Sequence, residues 1–357
     1  MTPKRQRRLP EETGIFLVFV VVLIVMGLLS APFRTVSNGF TLLLNGSVIA
    51  FLALGQTFVL LTGGIDLSTG ANVAMTGVLV ALLMQMGISW PIAALLTLAV
   101  GMLLGVINGA LIHFVRVPAF IATFATMGVA SSIPLIITGA NSIPVVDPNF
   151  AFIGQGLLFG VPIPVVLLLV VAVIAGLMLV WTRLGVHIYA VGGNSDAARL
   201  AGISVGRTVI VVYALSGLCA AFGGLISTSR LMVGFPATGL GNELFFSIAA
   251  AVVGGVSLFG GSGTVLGAMI GAVLIASVSD GMNVMNVSSY WQPLVIGVII
   301  LAGVMLDTYR RRLAGQGLGT LLPRLWTNPS ATKVSEPLSA RETERVNEPL
   351  SSGKTEQ

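Results

Sequence analysis

The sequence predicts an all-α polytopic membrane protein, with about ten transmembrane helices arranged in two inverted five-helix halves. Only 9% of its 357 residues are charged, against roughly 25% in ordinary soluble domains, and 55% are hydrophobic. Few charges interrupt the stretch from Thr35 to Leu306, which contains only Asp66, Arg116, Asp147, Arg183, Asp196, Arg199, Arg207, Arg230, Glu243 and Asp280. So few charges cannot cover a soluble globule, and a bilayer is the expected surrounding.

Apolar stretches follow one another along most of the chain. A helix needs about 20 apolar residues to cross the hydrocarbon core. Ten candidates approach that length: 15–31, 41–62, 70–86, 91–114, 118–137, 163–182, 208–230, 244–259, 264–280 and 290–307. Glycine-rich breaks near 63–70 and 239–243 predict half-helices or re-entrant elements, so eight full crossings also fit. The expected division is a basic N-terminus (1–14), a transmembrane domain (15–308) and a polar, disordered tail (309–357).

The Lys and Arg residues predict the orientation. With ten crossings and a cytoplasmic N-terminus, two of them outside the tail fall on the far side, Arg34 and Arg230. Eleven fall on the cytoplasmic side: Lys4, Arg5, Arg7, Arg8, Arg116, Arg183, Arg199, Arg207, Arg310, Arg311 and Arg312. Because cytoplasmic loops carry the Lys/Arg excess, both termini are expected in the cytoplasm and the loop 138–162 outside.

Two rows of glycine at spacing four predict an internal repeat. Span four has Gly101, Gly105 and Gly109, and span nine has Gly263, Gly267 and Gly271. Each row follows a shorter span that is entered through a glycine-rich turn with one acid, Asp66 or Glu243. Halves of five spans lie in opposite orientations, which is typical of transporters. Such rows allow close helix packing, so leucine at Gly267 is expected to be harmful and alanine mild.

The first turn, Gly63–Gly70, places an acid beside apolar spans. A carboxylate is costly within a bilayer and favourable at a helix N-terminus. Asp66 or Ser68 is therefore expected to cap the next helix, and Gly64 to permit the turn. The alternative is that Asp66 is a ligand for a coupling ion or a substrate.

The loop 183–207 contains signals for a short helix. Asn194 or Ser195 is a candidate N-cap, and Asp196 suits the first helical turn. Gly202 suits the position after the last turn. A helix so strongly specified on the cytoplasmic side is expected to contact a soluble motor, and the alternative is an interfacial helix without a partner.

Four motifs resemble the permease subunits of bacterial ABC importers for monosaccharides of the ribose, xylose, arabinose and galactose group. They are Gly-Ile-Asp-Leu-Ser at 64–68, the Ala-Val-Gly-Gly-Asn to Leu-Ala-Gly-Ile stretch at 190–203, Ala-Ala-Ala-Val-Val-Gly-Gly-Val-Ser-Leu-Phe-Gly-Gly-Ser-Gly-Thr at 249–264, and Asp-Gly-Met-Asn at 280–283. Pro118–Thr123 also fits. The resemblance covers about residues 15–312.

The resemblance implies a multi-pass protein of the bacterial inner membrane that imports a neutral monosaccharide or related polyol. A second permease, identical or related, completes the pathway. A cytoplasmic ATPase binds ATP and Mg, and a periplasmic protein delivers the sugar. The residues that resemble the ATPase-coupling helix are Asn194, Ser195, Asp196, Ala197, Ala198, Arg199 and Gly202.

Other functions are disfavoured by the residues. Gly353-Lys354-Thr355 lacks the first glycine and the preceding strand of a P-loop, so the chain is not expected to hydrolyse ATP or to hold a cofactor. One cysteine and two histidines are too few for a disulfide or a metal cluster, so no metal site is predicted. The basic residues flank apolar spans, which disfavours nucleic acid. The alternatives kept are an ion-coupled secondary transporter and a membrane-embedded enzyme.

Neutral polar side chains within the spans are the pathway candidates. A sugar hydroxyl needs only neutral hydrogen-bond donors and acceptors, whereas a charged solute needs a partner of opposite sign or a helix terminus. No ionisable residue is expected in mid-span. The candidates, each of which could equally bond a neighbouring helix, are Asn45, Gln56, Asn108, Thr123, Thr126 and Gln292.

Overall fold

The structure of the protein is a computed structural model that describes residues 12–319. In that part the helices are α1 Glu12–Leu29, α2 Val36–Leu61, α3 Thr69–Gln85, α4 Trp90–Ala110, α5 Ala119–Thr138, α6 Pro148–Gln155, α7 Ile163–Trp181, α8 Arg183–Gly193, α9 Ser195–Leu200, α10 Val205–Leu231, α11 Glu243–Val253, α12 Val265–Val284 and α13 Trp291–Gly319. Strand β1 (Ile143–Pro144) pairs antiparallel with β4 (Val233–Gly234), and β2 (Leu157–Leu158) with β3 (Val161–Pro162). One compact unit extends to Thr308, and a second begins at Tyr309.

The all-α membrane fold is confirmed. Seven helices of the described part are long and apolar enough to cross a bilayer, and three shorter apolar helices coincide with the other predicted spans. The short ones are Thr13–Leu29, Thr69–Gln85 and Glu243–Val253. α13 extends past the predicted domain boundary at 308. The predicted N-terminal segment 1–11 and the tail from 320 lie outside the described residues.

α10 occupies the centre of the bundle, between α2, α3 and α4. It runs antiparallel to α4, because Gly101 faces Gly217 and Gly105 faces the Tyr213 carbonyl. A Cβ on Gly105 would overlap that carbonyl oxygen. The first glycine row therefore brings two helix backbones together, as predicted for small residues in a membrane protein.

The second glycine row joins α12 to α11. Gly267 packs against the Gly254 carbonyl and Gly271 against the Ala250 carbonyl. The expectation that alanine is mild at Gly267 is wrong, because a Cβ there would overlap the Gly254 oxygen. Gly263 is not part of the helical row, since it precedes α12 and has a φ of 136° near Val256.

The half-helices α3 and α11 begin side by side in the bundle. Gly70 in the first turn of α3 lies against Gly239, and its Cβ would be 3.5 Å from the Leu244 Cβ. From this point α3 runs parallel to α10, while the end of α11 leads to a loop, 254–264, that contacts Leu61. The two breaks, 62–68 and 232–242, thus feed helices that diverge to opposite ends of the bundle, as inverted repeats require.

The two ends of the bundle differ. One end, called the α9 face, carries α8 and α9, which follow the end of α7. The opposite end, called the hairpin face, carries residues 139–162, which include the β2–β3 hairpin and precede the start of α7. On the hairpin face, the Asp147 carboxylate caps α6 by accepting the Asn149 N–H at 2.9 Å.

Candidate functional site

A buried carboxylate, Asp66, lies near the middle of the bundle. After α2 the chain turns at Gly63, which has a φ of 77°, and doubles back alongside α10. The Asp66 Oδ2 accepts a hydrogen bond from Ser216 Oγ at 2.8 Å. Ser216 lies about 17 Å along α10 from its first residue, at about 1.5 Å per residue. The expectation that no ionisable residue lies in mid-span is therefore wrong.

The other oxygen of Asp66 connects the break to α4 and α5 through a chain of hydrogen bonds. Its Oδ1 accepts from Ser68 Oγ at 2.6 Å and from the Ser68 backbone N–H at 2.9 Å. Ser68 Oγ in turn accepts from Asn108 Nδ2 of α4 at 2.8 Å, and Thr126 Oγ1 of α5 donates to Asn108 Oδ1 at 2.6 Å. These five residues, Asp66, Ser68, Asn108, Thr126 and Ser216, are called the Asp66 network.

The carbonyl groups of the break are satisfied by side chains from three helices. Gln56 Nε2 of α2 donates to the Asp66 carbonyl. Tyr213 Oη of α10 donates to the Ile65 carbonyl at 3.0 Å, and Thr123 Oγ1 of α5 approaches the same oxygen at 3.4 Å. Gly64 must lack a side chain, because its Cβ would lie 2.6 Å from Tyr213 Oη. Non-helical backbone at membrane depth needs such donors.

The predicted side-chain cap of α3 is wrong. Ser68 occupies the N-cap position, but its hydroxyl accepts from Asn108 and makes no bond to the first turn of α3. The one backbone N–H that the Asp66 carboxylate accepts is that of Ser68, which precedes the first turn of α3. The Asp66 carboxylate therefore joins the break to α10 through Ser216 and does not cap the N-terminus of α3.

The candidate pathway residues divide into two groups. Gln56, Asn108, Thr123 and Thr126 meet around the break at Asp66. Asn45 accepts instead from Arg230 Nη1 at 2.7 Å, and Gln292 donates to Asn283 Oδ1 at 2.7 Å. Four of the six are thus brought together, and two belong to separate helix contacts.

Sequence reasoning missed Ser216, Tyr213 and Asn72. Asn72 Nδ2 bridges the Gly101 and Gly217 carbonyls at 3.1 and 3.0 Å, where α3 meets α4 and α10. A serine, a tyrosine and an asparagine on apolar helices give no signal by themselves.

The second break has an acid in a different setting. Glu243 is the first residue of α11 and is half-buried. Its Oε2 is buried and has no hydrogen-bond partner among the described residues. Gln56 Oε1, on a fully buried side chain near the start of α3, also has no hydrogen-bond partner among the described residues. A buried side-chain oxygen without a hydrogen-bond partner among the described residues therefore lies near the start of each half-helix.

The short helix α9 forms as the sequence predicts. Asn194 Oδ1 accepts from the backbone N–H groups of Asp196 and Ala197 at 3.1 and 2.9 Å, and Gly202 follows the last turn with a φ of 81°. Ala198 is buried against the bundle, whereas Leu200 is 92% exposed. The outward face of α9 therefore consists of the exposed residues Ser195, Asp196, Ala197, Arg199 and Leu200.

The site around the first break is built from polar groups. Its donors and acceptors are hydroxyls, amides and backbone carbonyls around the carboxylate of Asp66. Among the described residues no group of three or more His, Cys, Asp or Glu is placed to hold a metal.

Comparison with known proteins decides the family. The model of the family described as the permease component of branched-chain amino acid transport systems matches residues 38–304. The chain belongs to this permease family. It is 38% identical over 307 residues to the ribose import permease protein of Escherichia coli K12, covering 85% of this permease and 95% of the relative.

Other relatives of the permease are similar over comparable lengths. The ribose import permease protein of Bacillus subtilis is 39% identical over 83% of this permease and 92% of its own length. The D-allose transport system permease protein of Escherichia coli K12 is 36% identical over 83% and 91%. No solved structure matches significantly. The resemblance to monosaccharide-importer permeases is confirmed, and these relatives favour an importer component over an ion-coupled transporter or an enzyme.

Proposed function

We propose that the permease forms the membrane pathway for a neutral monosaccharide or related polyol in an ATP-driven importer. The observation that carries this proposal is the 36–39% identity to ribose and allose permeases over more than four fifths of the chain. The neutral donors and acceptors around the first break agree with it, since the hydroxyl groups of a sugar can replace the hydrogen bonds that these groups make with one another. The carboxylates at the two breaks, Asp66 and Glu243, would repel an anionic solute.

The importer would contain further subunits. A second permease, identical or related, completes the pathway. A separate ATPase holds ATP and Mg on the cytoplasmic side, and a periplasmic protein supplies most of the affinity for sugar. The proposed location is the bacterial inner membrane, with both termini in the cytoplasm.

Uptake by the reconstituted importer tests the substrate class. The permease, its ATPase and its binding protein are placed in liposomes and offered labelled ribose, allose, arabinose or leucine. We expect one of the sugars, or a related polyol, to accumulate and leucine to be excluded. Uptake of leucine without any sugar would contradict the proposed substrate class.

The proposed orientation predicts opposite thiol accessibility on the two faces. Asn149 lies on the hairpin face and Ser195 on the α9 face, and both are exposed. In a Cys219→Ser background, an impermeant thiol reagent applied to cells with a permeabilised outer membrane should label Asn149→Cys and not Ser195→Cys. The reverse pattern would invert the orientation.

The exposed face of α9 is the proposed ATPase-docking surface. Leu200 is 92% exposed there, and a buried leucine contributes about 1.5–3 kcal/mol. Leu200→Ser is therefore expected to weaken ATPase co-purification about tenfold, with normal membrane abundance. A substitution at Ala198 would not test the docking surface, because the Ala198 side chain is buried against the bundle and its replacement would disturb α9 itself.

Val146→Ser is the matched control for this surface. Val146 is also 92% exposed but lies on the hairpin face. Its replacement should leave ATPase binding unchanged. Equal binding by both variants and the wild type would place the docking surface elsewhere.

A further inference from the structure

Three backbone segments meet on the α9 face, next to the residues that lead into α9. They are Gly192 at the end of α8, Leu61–Gly63 after α2, and Gly260–Gly261 in the loop 254–264. Together they are called the glycine clasp. The Gly261 N–H donates to the Leu61 carbonyl at 2.9 Å, which joins two of the segments directly.

Backbone lies on backbone throughout the clasp. A Cβ on Gly192 would overlap the Leu61 oxygen and lie 2.6 Å from Gly261 N. A Cβ on Gly260 would lie 2.8 Å from both Gly192 O and Gly63 N. Peptide groups are planar and rigid, and such packing has no flexible side chain to absorb movement. A shift of one segment is therefore passed to the other two.

Tyr189 adds a side-chain tie from α8 to the same loop. Its Oη donates to the Gly263 carbonyl at 2.8 Å, one turn of α8 before the clasp. The neighbouring residues Ile188 and Val191 are buried, and Ile188 packs in the apolar cluster that includes Leu61 and Val256. α8 is thus anchored on both sides of Tyr189.

The clasped segments lead to the two interior breaks. Leu61–Gly63 continues within a few residues to Asp66 and its network. The loop 254–264 connects α11 to α12, and α11 begins beside Gly70 in the centre of the bundle. The clasp therefore connects the segment just before α9 to the chain that leads to each half-helix.

We propose that Tyr189 is a positioning residue that, with the glycine clasp, transmits movement of α9 to the breaks before α3 and α11. This inference rests on the proposed function, in which α9 receives the movement of an ATPase. Tyr189 belongs neither to the exposed face of α9 nor to the Asp66 network. Its contribution is to keep the loop 254–264 moving together with α8.

The test compares two tyrosine variants in the complete importer, reconstituted with its ATPase and binding protein, with D-ribose as the probe. Tyr189→Phe removes the bond to Gly263 and keeps the ring. Ribose imported per ATP hydrolysed should fall about five-fold, the factor that one neutral hydrogen bond supplies. Tyr290→Phe is the control, because Tyr290 is 93% exposed and distant in the chain from the clasp, and it should keep the wild-type ratio.

A glycine pair supplies the second variant. A Cβ on Gly192 overlaps the clasp, whereas a Cβ on Gly193 meets no atom within 4 Å. Gly192→Ala should lower the ratio more than Tyr189→Phe does, and Gly193→Ala should leave it unchanged. An unchanged ratio in Tyr189→Phe, or a fall in uptake matched by an equal fall in hydrolysis, would overturn the inference. A wild-type complex without ATP-dependent uptake of any sugar would instead overturn the proposed function.

Discussion

Replacing Asp66 with alanine is expected to reduce sugar uptake about tenfold or more. Three donors would lose their acceptor: the Ser68 N–H, Ser68 Oγ and Ser216 Oγ. Each buried polar group left without a partner costs about 1–3 kcal/mol. The break would then keep only the Tyr213 bond to α10, and the residues that precede α3 would lose most of their side-chain hydrogen bonds. Uptake is measured in proteoliposomes and normalised to the permease incorporated.

Two further variants define what Asp66 contributes. Asp66→Asn keeps an oxygen that accepts both Ser68 bonds, and its amide can donate to Ser216, so most uptake should remain. Asp147→Ala removes an acid from the exposed N-cap of α6, which costs about 1 kcal/mol, and uptake should stay close to wild type. An equal loss in the Asn and Ala variants of Asp66 would show that negative charge itself is required, and would favour an ion-coupled mechanism.

Gly105→Ala is expected to remove most of the folded permease from the membrane. The new Cβ would overlap the Tyr213 carbonyl oxygen and lie 2.7 Å from the Tyr213 carbonyl carbon and 3.0 Å from the Ala214 Cα. All three atoms are backbone, so α4 and the central helix α10 must move apart. Overpacking of this kind typically costs about 1–3 kcal/mol. Membrane abundance and the melting temperature in detergent report the effect.

Gly128→Ala is the control for this substitution. Gly128 lies within α5, and a Cβ there meets no atom within 4 Å. Alanine also has the higher helix propensity, so abundance and melting temperature should be unchanged or slightly raised. Equal losses from Gly105→Ala and Gly128→Ala would contradict the close-packing account, because a Cβ on Gly128 meets no neighbouring atom.

The lengths of the apolar runs and the regular spacing of the glycines could predict most of the fold. Long apolar runs indicate spans because the bilayer sets their length, and the spaced glycines in α4 and α12 indicate close helix contacts. The capping signals around Asn194 are local, so α9 could be placed from the sequence alone. The inverted arrangement followed from the position of each glycine-rich break within its half.

The depth of Asp66 could not be predicted, because it depends on the path of the chain after Gly63. A linear assignment of spans places Asp66 at a span end, whereas the chain doubles back and carries it to the level of Ser216. The buried face of α9 posed the same difficulty. Ala198 turns inward because α8 packs on the bundle, and no feature of α9 itself sets that rotation.

The energy source of uptake tests the central claim most directly. Liposomes containing the permease, its ATPase and its binding protein are prepared with ATP on the ATPase side, and ionophores collapse the proton and sodium gradients. We predict that monosaccharide uptake continues under these conditions and stops when ATP is replaced by a non-hydrolysable analogue. Uptake by the permease alone, without ATP and abolished by an ionophore, would contradict the account.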